Sequence, residues 1–229
     1  MNRIRRPLAR DFLLVLTAAT LTACGGGGGS SPPPPSSGNP PAPTPAPPPP
    51  PSPGVVVPPI SATVQDITDG HAIGDARWAN PQTDGSQIGA FTCVVNQPQT
   101  FALNAHVSIL LNNEPQRIPT YVGASPQAAG GHCFYTIHTH DSSGKIHVTP
   151  PAAGVFTLGQ LFQIWNQPLT NTNLAGITGL PIEIFVTENG VVTKVEEADW
   201  TNIELKSHRE ITIGVGTPVA EIPNFTWTD

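Results

Sequence analysis

Residues 133–150 read CFYTIHTHDSSGKIHVTP, and this stretch predicts a β-hairpin that carries three histidines. Side chains alternate between the two faces of a strand, so His138 and His140 are expected to point the same way. A loop at residues 141–144 would pair His138 with His147 across the hairpin. The third imidazole would then join the same face, and the spacing predicts the geometry of a metal site.

Strand patterns dominate the chain on both sides of this hairpin. Residues 105–112 alternate between the two faces and run into an Asn-Asn turn, which predicts a return strand. The dipeptide Asn189–Gly190 is a strong hairpin signal between two runs rich in β-branched residues. The strands predicted outside the histidine hairpin lie at residues 105–112, 117–122, 182–187, 191–195 and 210–215.

One segment, residues 156–166, has the period of a helix instead. Its apolar stripe falls at i, i+3, i+4 and i+7 and consists of Leu158, Leu161, Phe162 and Trp165. Thr157 is the expected N-cap. We therefore expect an α+β fold of mainly antiparallel hairpins with one short amphipathic helix, in a β-grasp-like arrangement. An all-β sandwich is the alternative, and in both cases residues 60–229 form a single globular domain whose core covers about residues 90–216.

The N-terminus carries the pattern of a secretory signal, with four arginines in the first ten residues followed by a short apolar run. It resembles a bacterial lipoprotein signal, because Leu21–Cys24 matches the lipobox. The resemblance implies that residues 1–23 are a signal peptide and that Cys24 is acylated, which would anchor the chain to a membrane of the bacterial cell envelope. Gly25 is not the aspartate associated with inner-membrane retention, so the outer membrane is favoured over the inner one.

Residues 24–59 consist almost entirely of Gly, Ser and Pro, with a few Ala and Val, and are expected to form a tether between the lipid and the domain. Removal of residues 1–23 takes away four of the 10 basic and one of the 16 acidic side chains, leaving a formal charge of −9. Nucleic-acid binding depends largely on Lys and Arg at phosphates, so this charge argues against a nucleic-acid partner.

The cysteine count predicts a disulfide, because only Cys93 and Cys133 remain once Cys24 is acylated. Two cysteines in an oxidising compartment are most simply bonded to each other. The alternative is a thiolate ligand, since Cys133 follows His132 at the start of the histidine hairpin and sulfur favours copper(I) or zinc.

The predicted metal ligands are His138, His140 and His147, with His106 on a neighbouring strand as a candidate fourth ligand. Nitrogen ligands suit zinc, copper(II) or nickel, so copper or zinc is the expected cofactor. A closed set would store or transport a metal, whereas an open coordination position would permit hydrolysis. Asp141 would either orient a histidine ring or bond its own backbone as a turn residue, and the turn role is favoured.

Three segments resemble an uncharacterised family of secreted or lipid-anchored bacterial proteins. They are the strand that begins at His106, the sequence IHTHDSSGKIHV at residues 137–148, and FTLGQLFQIW at residues 156–165. The resemblance implies that the hairpin and the helix belong to one unit, and it carries no activity. It also implies a second histidine where this chain has Asn104, which favours a site of three histidines over one of four.

Three functions are compatible with these features. The leading hypothesis is a lipid-anchored envelope protein that binds a transition metal through the histidine cluster. The second is a non-catalytic structural or adhesion domain in which the histidines form a hydrogen-bonded patch. The third is a metal-dependent hydrolase, for which no catalytic residue is identified, because the chain has no Gly-x-Ser-x-Gly sequence and no opposed pair of carboxylates can be recognised.

The first prediction concerns the anchor. Cys24→Ala should abolish incorporation of labelled fatty acid and block normal processing, because the thiol is the expected acyl acceptor. Metabolic labelling in a bacterial host measures this, and labelled lipid on the Cys24→Ala protein would contradict the lipoprotein assignment.

Overall fold

The computed structural model describes residues 56–68 and 70–227. The chain divides into residues 1–50 and residues 51–229, and only the second unit contains described residues. The predicted signal peptide at residues 1–23, the lipidation site Cys24 and all of the tether before residue 56 lie outside the described residues. Within those residues, no helix has the length and apolar character needed to cross a bilayer.

The described residues form fourteen strands, one α-helix and one 3₁₀ helix. In chain order they are β1 (Ile60–Ile67), β2 (Leu103–Leu111), β3 (Glu114–Gln116), β4 (Ala124–Pro126), β5 (His132–Phe134), β6 (Ile137–His138), β7 (Lys145–Val148), α1 (Leu158–Ile164), β8 (Leu169–Thr170), β9 (Asn173–Leu174), β10 (Ile177–Thr178), β11 (Ile182–Glu188), β12 (Val191–Val195), the 3₁₀ helix (Glu197–Asn202), β13 (Glu210–Val215) and β14 (Ile222–Trp227).

The largest sheet has seven strands in the order β12-β11-β13-β2-β7-β6, and β3 also pairs with β2. Its central pair, β13 and β2, is parallel, while its other neighbours are antiparallel. A separate two-stranded sheet joins β1 to β14 in parallel. Two smaller sheets hold β8 to β10 and the pair β4 and β5.

Alternation along β2 explains how two layers cover this sheet. Ala105, Val107 and Ile109 face the main core, which also contains the buried side of α1. Leu110 belongs to a second buried cluster on the other side, with Phe185, Val219 and Ile222. Ile222 begins β14, so the β1–β14 sheet covers part of the face opposite α1.

Helix α1 forms where the apolar stripe predicted it. Thr157 accepts a hydrogen bond from the backbone N–H of Gln160, whose side chain accepts one from the backbone N–H of Thr157 in return. This capping box satisfies two N–H groups that the first turn leaves without helical partners. The four residues of the predicted stripe are all buried, namely Leu158, Leu161, Phe162 and Trp165.

The α+β, β-grasp-like expectation is wrong. The two helices have seven and six residues, whereas strands in four sheets make up most of the regular structure of the described residues, as in the all-β alternative. Several strands are only two or three residues long, such as β4, β5 and β8, and a segment that short carries no periodic signal. The parallel pairs were also missed, because their strands are far apart in the chain.

The strand predicted at residues 117–122 is also wrong, because the hairpin turns earlier. Asn112 and Asn113 both have positive φ, at 52° and 70°, as a tight two-residue loop requires. The return strand therefore begins at Glu114 and pairs Leu111 with Glu114. It ends at Gln116, three residues before Pro119.

The second prediction concerns Gly144, which closes the histidine hairpin with φ at +86°. A Cβ at this position would lie 2.7 Å from both Nε2 of His106 and the backbone oxygen of Val107. Gly130 is a matched control, since its φ is +90° and a Cβ there would meet no atom within 4 Å.

We expect Gly130→Ala to lower the free energy of unfolding by about 1 kcal/mol through backbone strain alone. Gly144→Ala should cost a further ~1–3 kcal/mol from the clash. Urea unfolding measures both, and equal losses would contradict the close contact.

Candidate metal centre

The histidine hairpin brings three imidazole rings together. His138 on β6 is paired with His147 on β7, and the two ring centroids are 5.6 Å apart. His140 follows β6 and places its ring 4.9 Å from that of His138 and 4.2 Å from that of His147. These three residues form what we call the histidine cluster. It lies on the face of β7 opposite the main core, because Ile146 and Val148 occupy the core side.

Burial and hydrogen bonding determine the protonation state of His138. Its Nδ1 lies 2.9 Å from the backbone oxygen of Tyr135, so Nδ1 carries the hydrogen and donates it. The side chain is only 1% exposed. Burial, reinforced by the charges of His140 and His147, lowers the pKa of His138 from 6.5 to about 3. His138 is therefore neutral near pH 7, with a lone pair on Nε2.

That lone pair points at a second ring nitrogen. Nε2 of His138 lies 3.1 Å from Nε2 of His140, and since His138 has its hydrogen on Nδ1, His140 donates the hydrogen between them. Two nitrogens bound to one tetrahedral metal at about 2.0–2.1 Å would be roughly 3.3 Å apart. The separation of the two ring nitrogens is thus close to that of two nitrogen ligands of one metal ion, but a metal would lie to the side of the line that joins them, whereas the hydrogen lies on it.

The third ring, that of His147, is stacked on its neighbour. The planes of the His147 and His140 rings differ by 22° and their centroids are 4.2 Å apart, so the two rings lie face to face. Among the described residues, no group of three or more His, Cys, Asp or Glu side chains is arranged to hold a metal ion. The cluster in this structure is a hydrogen-bonded and stacked set of rings.

The cluster forms one wall of an open pocket of about 310 Å³. Segment 95–104 and Phe134 supply much of the remainder, and the ring of Phe134 lies 4.8 Å from that of His138 and 5.3 Å from that of His140. No Asp or Glu lines the described part of this pocket. The residues that line it are Val95, Gln97, Gln99, Ala102, Asn104, Phe134, His138, His140, His147 and Thr149.

His106, the candidate fourth ligand, does not line this pocket. Its register partner on β7 is Lys145, whereas Asn104 is the residue that faces His147. The His106 ring packs against Phe225 of β14 at 4.1 Å, and its Nε2 donates to the backbone oxygen of Ser143 at 2.9 Å. The sequence predicts His106 as a ligand because the strand that covers it, β14, cannot be inferred from local patterns.

The burial that removes His106 from the pocket also changes its chemistry. The ring is 1% exposed, and burial lowers its pKa from 6.5 to about 4. Its Nδ1 has no hydrogen-bond partner among the described residues. His106 is therefore a neutral side chain beneath β14 rather than a member of the histidine cluster.

Asp141 has the turn role that the sequence favoured. One of its carboxylate oxygens accepts a hydrogen bond from the backbone N–H of Ser143 at 2.8 Å, and the other accepts one from Gly70 at 2.5 Å. The bond to Ser143 closes the turn of the hairpin, and the bond to Gly70 ties this turn to a distant loop. Partial burial by itself would raise the pKa of Asp141, but the hydrogen bonds from Ser143 and Gly70 and the nearby charge of His147 together lower it.

The disulfide joins Cys133 of β5 to Cys93, which lies two residues before the segment that forms one wall of the pocket. Cys93 and Cys133 are bonded, with 2.00 Å between the sulfurs, so neither is available as a thiolate ligand. Val94 and Phe134 exchange backbone hydrogen bonds next to the disulfide. The amide of Gln97 then bonds the backbone oxygen of Phe134. Sequence reasoning did not include this segment in the site, and the position of Cys93 was the one signal that pointed to it.

Comparisons with protein-family models, with curated proteins and with solved structures each found no match to this chain. A functional assignment therefore depends on the chemistry of the described side chains.

The third prediction uses the neutral state of buried His138. Because its pKa is about 3 in the folded chain and about 6.5 in the unfolded chain, its contribution to stability is present above pH 6.5 and is lost as the pH falls towards 3. In this window, stability should fall by up to about 1.4 kcal/mol per pH unit more steeply in wild type than in His138→Gln. Urea unfolding from pH 7 to pH 4 measures the difference.

Subtraction of the two stability curves removes the other titrating groups. The two main ones are His106 and Glu210. Burial lowers the pKa of His106 to about 4, so its effect on stability has the same sign as that of His138. Burial raises the pKa of Glu210 to about 7, so its effect has the opposite sign. Parallel stability curves for wild type and His138→Gln would show that His138 is not held neutral.

Proposed function

We propose that this chain is a lipid-anchored envelope protein whose domain binds copper(II) or zinc through His138, His140 and His147. One observation carries the proposal: the lone pair of a buried, neutral His138 is aimed at Nε2 of His140 from 3.1 Å. Histidines that ligate metals commonly donate their other ring hydrogen to a backbone carbonyl, as His138 does to Tyr135. His138 would thus be a ligand whose orientation is set before the metal arrives.

Coordination would require two changes in the other rings. His140 would give up the hydrogen that it donates to His138, either by losing a proton or by moving it to Nδ1. His147 would rotate out of its stack with His140 to direct a nitrogen at the same point. His140 is exposed and His147 is partly exposed, so both rings adjoin open space into which they can turn.

The pocket around the cluster would leave part of the coordination shell open. Three histidine nitrogens would occupy three positions, and a pocket of about 310 Å³ has room for a bound water or a small ligand beside the ion. The amide of Asn104, whose backbone is paired with that of His147, lines the same pocket and could accept or donate a hydrogen bond there.

The second candidate is a non-catalytic structural or adhesion domain. The stacking of His140 on His147 and the hydrogen bond between His138 and His140 favour it, because they satisfy the rings without an ion. A hydrolase would in addition need a general base near the metal, and the described lining of the pocket contains no carboxylate to act as one. Metal affinity separates the first two candidates directly.

The fourth prediction tests metal binding by calorimetry on the chain from residue 25 onward, with any tag removed. His138→Ala, His140→Ala and His147→Ala should each weaken copper(II) or zinc binding at least about tenfold, since each removes one ligand. Binding should also weaken below about pH 6.5, where protons compete for imidazole nitrogens.

His208→Ala is the control variant, because the ring of His208 stacks on Trp227 at 4.7 Å and lies outside the pocket lining. It should bind metal like the wild type. Equal losses in His208→Ala and His138→Ala, or wild-type affinity no better than that of an unstructured histidine peptide, would favour the structural patch.

A further inference from the structure

A second and more apolar pocket lies beside the histidine cluster. It has a volume of about 530 Å³ and is open to the surface. Phe91 and Phe156 pack against the main core at its base, and residues 150–154, PPAAG, form one side. We propose that this apolar pocket binds an uncharged, apolar small molecule, a function separate from metal binding.

The size and lining of the pocket suit such a ligand. Small-molecule sites usually measure about 300–1,000 Å³ and are mostly apolar, with a few polar groups that set orientation. The side opposite PPAAG comes from segment 90–98, which contributes Val94 and Pro98 along with polar residues. The pocket is therefore large enough for a drug-sized molecule and has apolar surface on more than one side.

The charge of the lining restricts the ligand further. None of the described lining residues is Asp, Glu, Lys, Arg or His, so a charged ligand would be desolvated here without a counter-charge. Gln160 is one of the polar residues of the lining, and its side-chain oxygen is already engaged, because it accepts from the backbone N–H of Thr157. The ligand class is thus a neutral and mostly apolar molecule.

Covalent and backbone contacts hold the pocket open. The disulfide of Cys93 and the paired backbone bonds of Val94 with Phe134 fasten segment 90–98 at its middle. Pro150 and Pro151 restrict the backbone of the other side. A pocket whose walls are fixed before binding loses little conformational entropy when a ligand enters.

The rim of this pocket exposes apolar side chains that the fold does not bury. Val94 lines the pocket, Val95 follows it in the chain, and Val155 follows the PPAAG segment; all three side chains are exposed. Clustered exposed apolar residues commonly mark a binding surface. They lie beside a concave site, so a molecule that fills the pocket would also cover part of this rim.

The fifth prediction tests the pocket with N-phenyl-1-naphthylamine, a neutral dye whose emission increases in apolar surroundings. The chain from residue 25 onward should bind it saturably at one site. Gly154→Leu should weaken binding at least about tenfold. A Cβ at Gly154 would lie 3.4 Å from the ring of Phe156 in an ordinary contact, and φ there is not positive, so the added side chain enters the pocket without backbone strain. Ala153→Leu, at an adjacent lining residue, should act in the same direction.

Ala129→Leu is the matched control, because it adds a leucine to an exposed position outside the pocket lining. It should bind the dye within about twofold of wild type. Thermal unfolding of each variant separates loss of the pocket from loss of the fold. Two results would overturn the proposal: no saturable dye binding by wild type, or wild-type affinity in folded Gly154→Leu. The wild-type protein could instead bind no dye and sediment with phosphatidylcholine vesicles. That result would show that the apolar rim contacts membranes, and the proposal would be wrong.

Discussion

The parallel pairing of β13 with β2 is the constraint on which the rest of this structure depends. Six residue pairs join the two strands, from Glu210 opposite His106 to Val215 opposite Leu111. The pair forms the centre of the seven-stranded sheet, with the histidine hairpin attached to β2 and β11 attached to β13. Because the chain between these two strands contains α1, the same connection places the helix over one face of the sheet and leaves the other face for β14.

The alternation of side chains along β2 then separates two histidine environments. Asn104 and His106 point to the same face, but β14 covers only the second of them. Asn104 remains in an open pocket beside the histidine cluster, whereas His106 is buried under Phe225. A displacement of two residues along one strand thus decides whether a side chain can reach the candidate metal site or becomes a neutral, buried group.

Burial controls the chemistry on this face of the sheet. His138 and His106 are neutral because a charged ring would lose its hydration, and the same effect raises the pKa of Glu210 to about 7. For His138 the outcome is a lone pair held toward His140, which is what a metal ligand requires. The apolar pocket lies beyond the side-chain hydrogen bond between Thr149 and Gln97, two residues that line both pockets. A neutral-ligand site and a candidate metal site therefore share one wall.

The sequence by itself determined the features that depend on neighbouring residues. It placed helix α1 with its Thr157 cap, the Asn189–Gly190 turn, and the strand at residues 210–215, because periodicity and turn chemistry are local. It grouped the three hairpin histidines because alternation and cross-strand pairing act within about ten residues. Only the tertiary structure decided the mostly β class, the parallel pairs and the removal of His106 from the site. Those outcomes arise from strands that meet across long stretches of chain, and no local pattern records which distant strand will cover a given face.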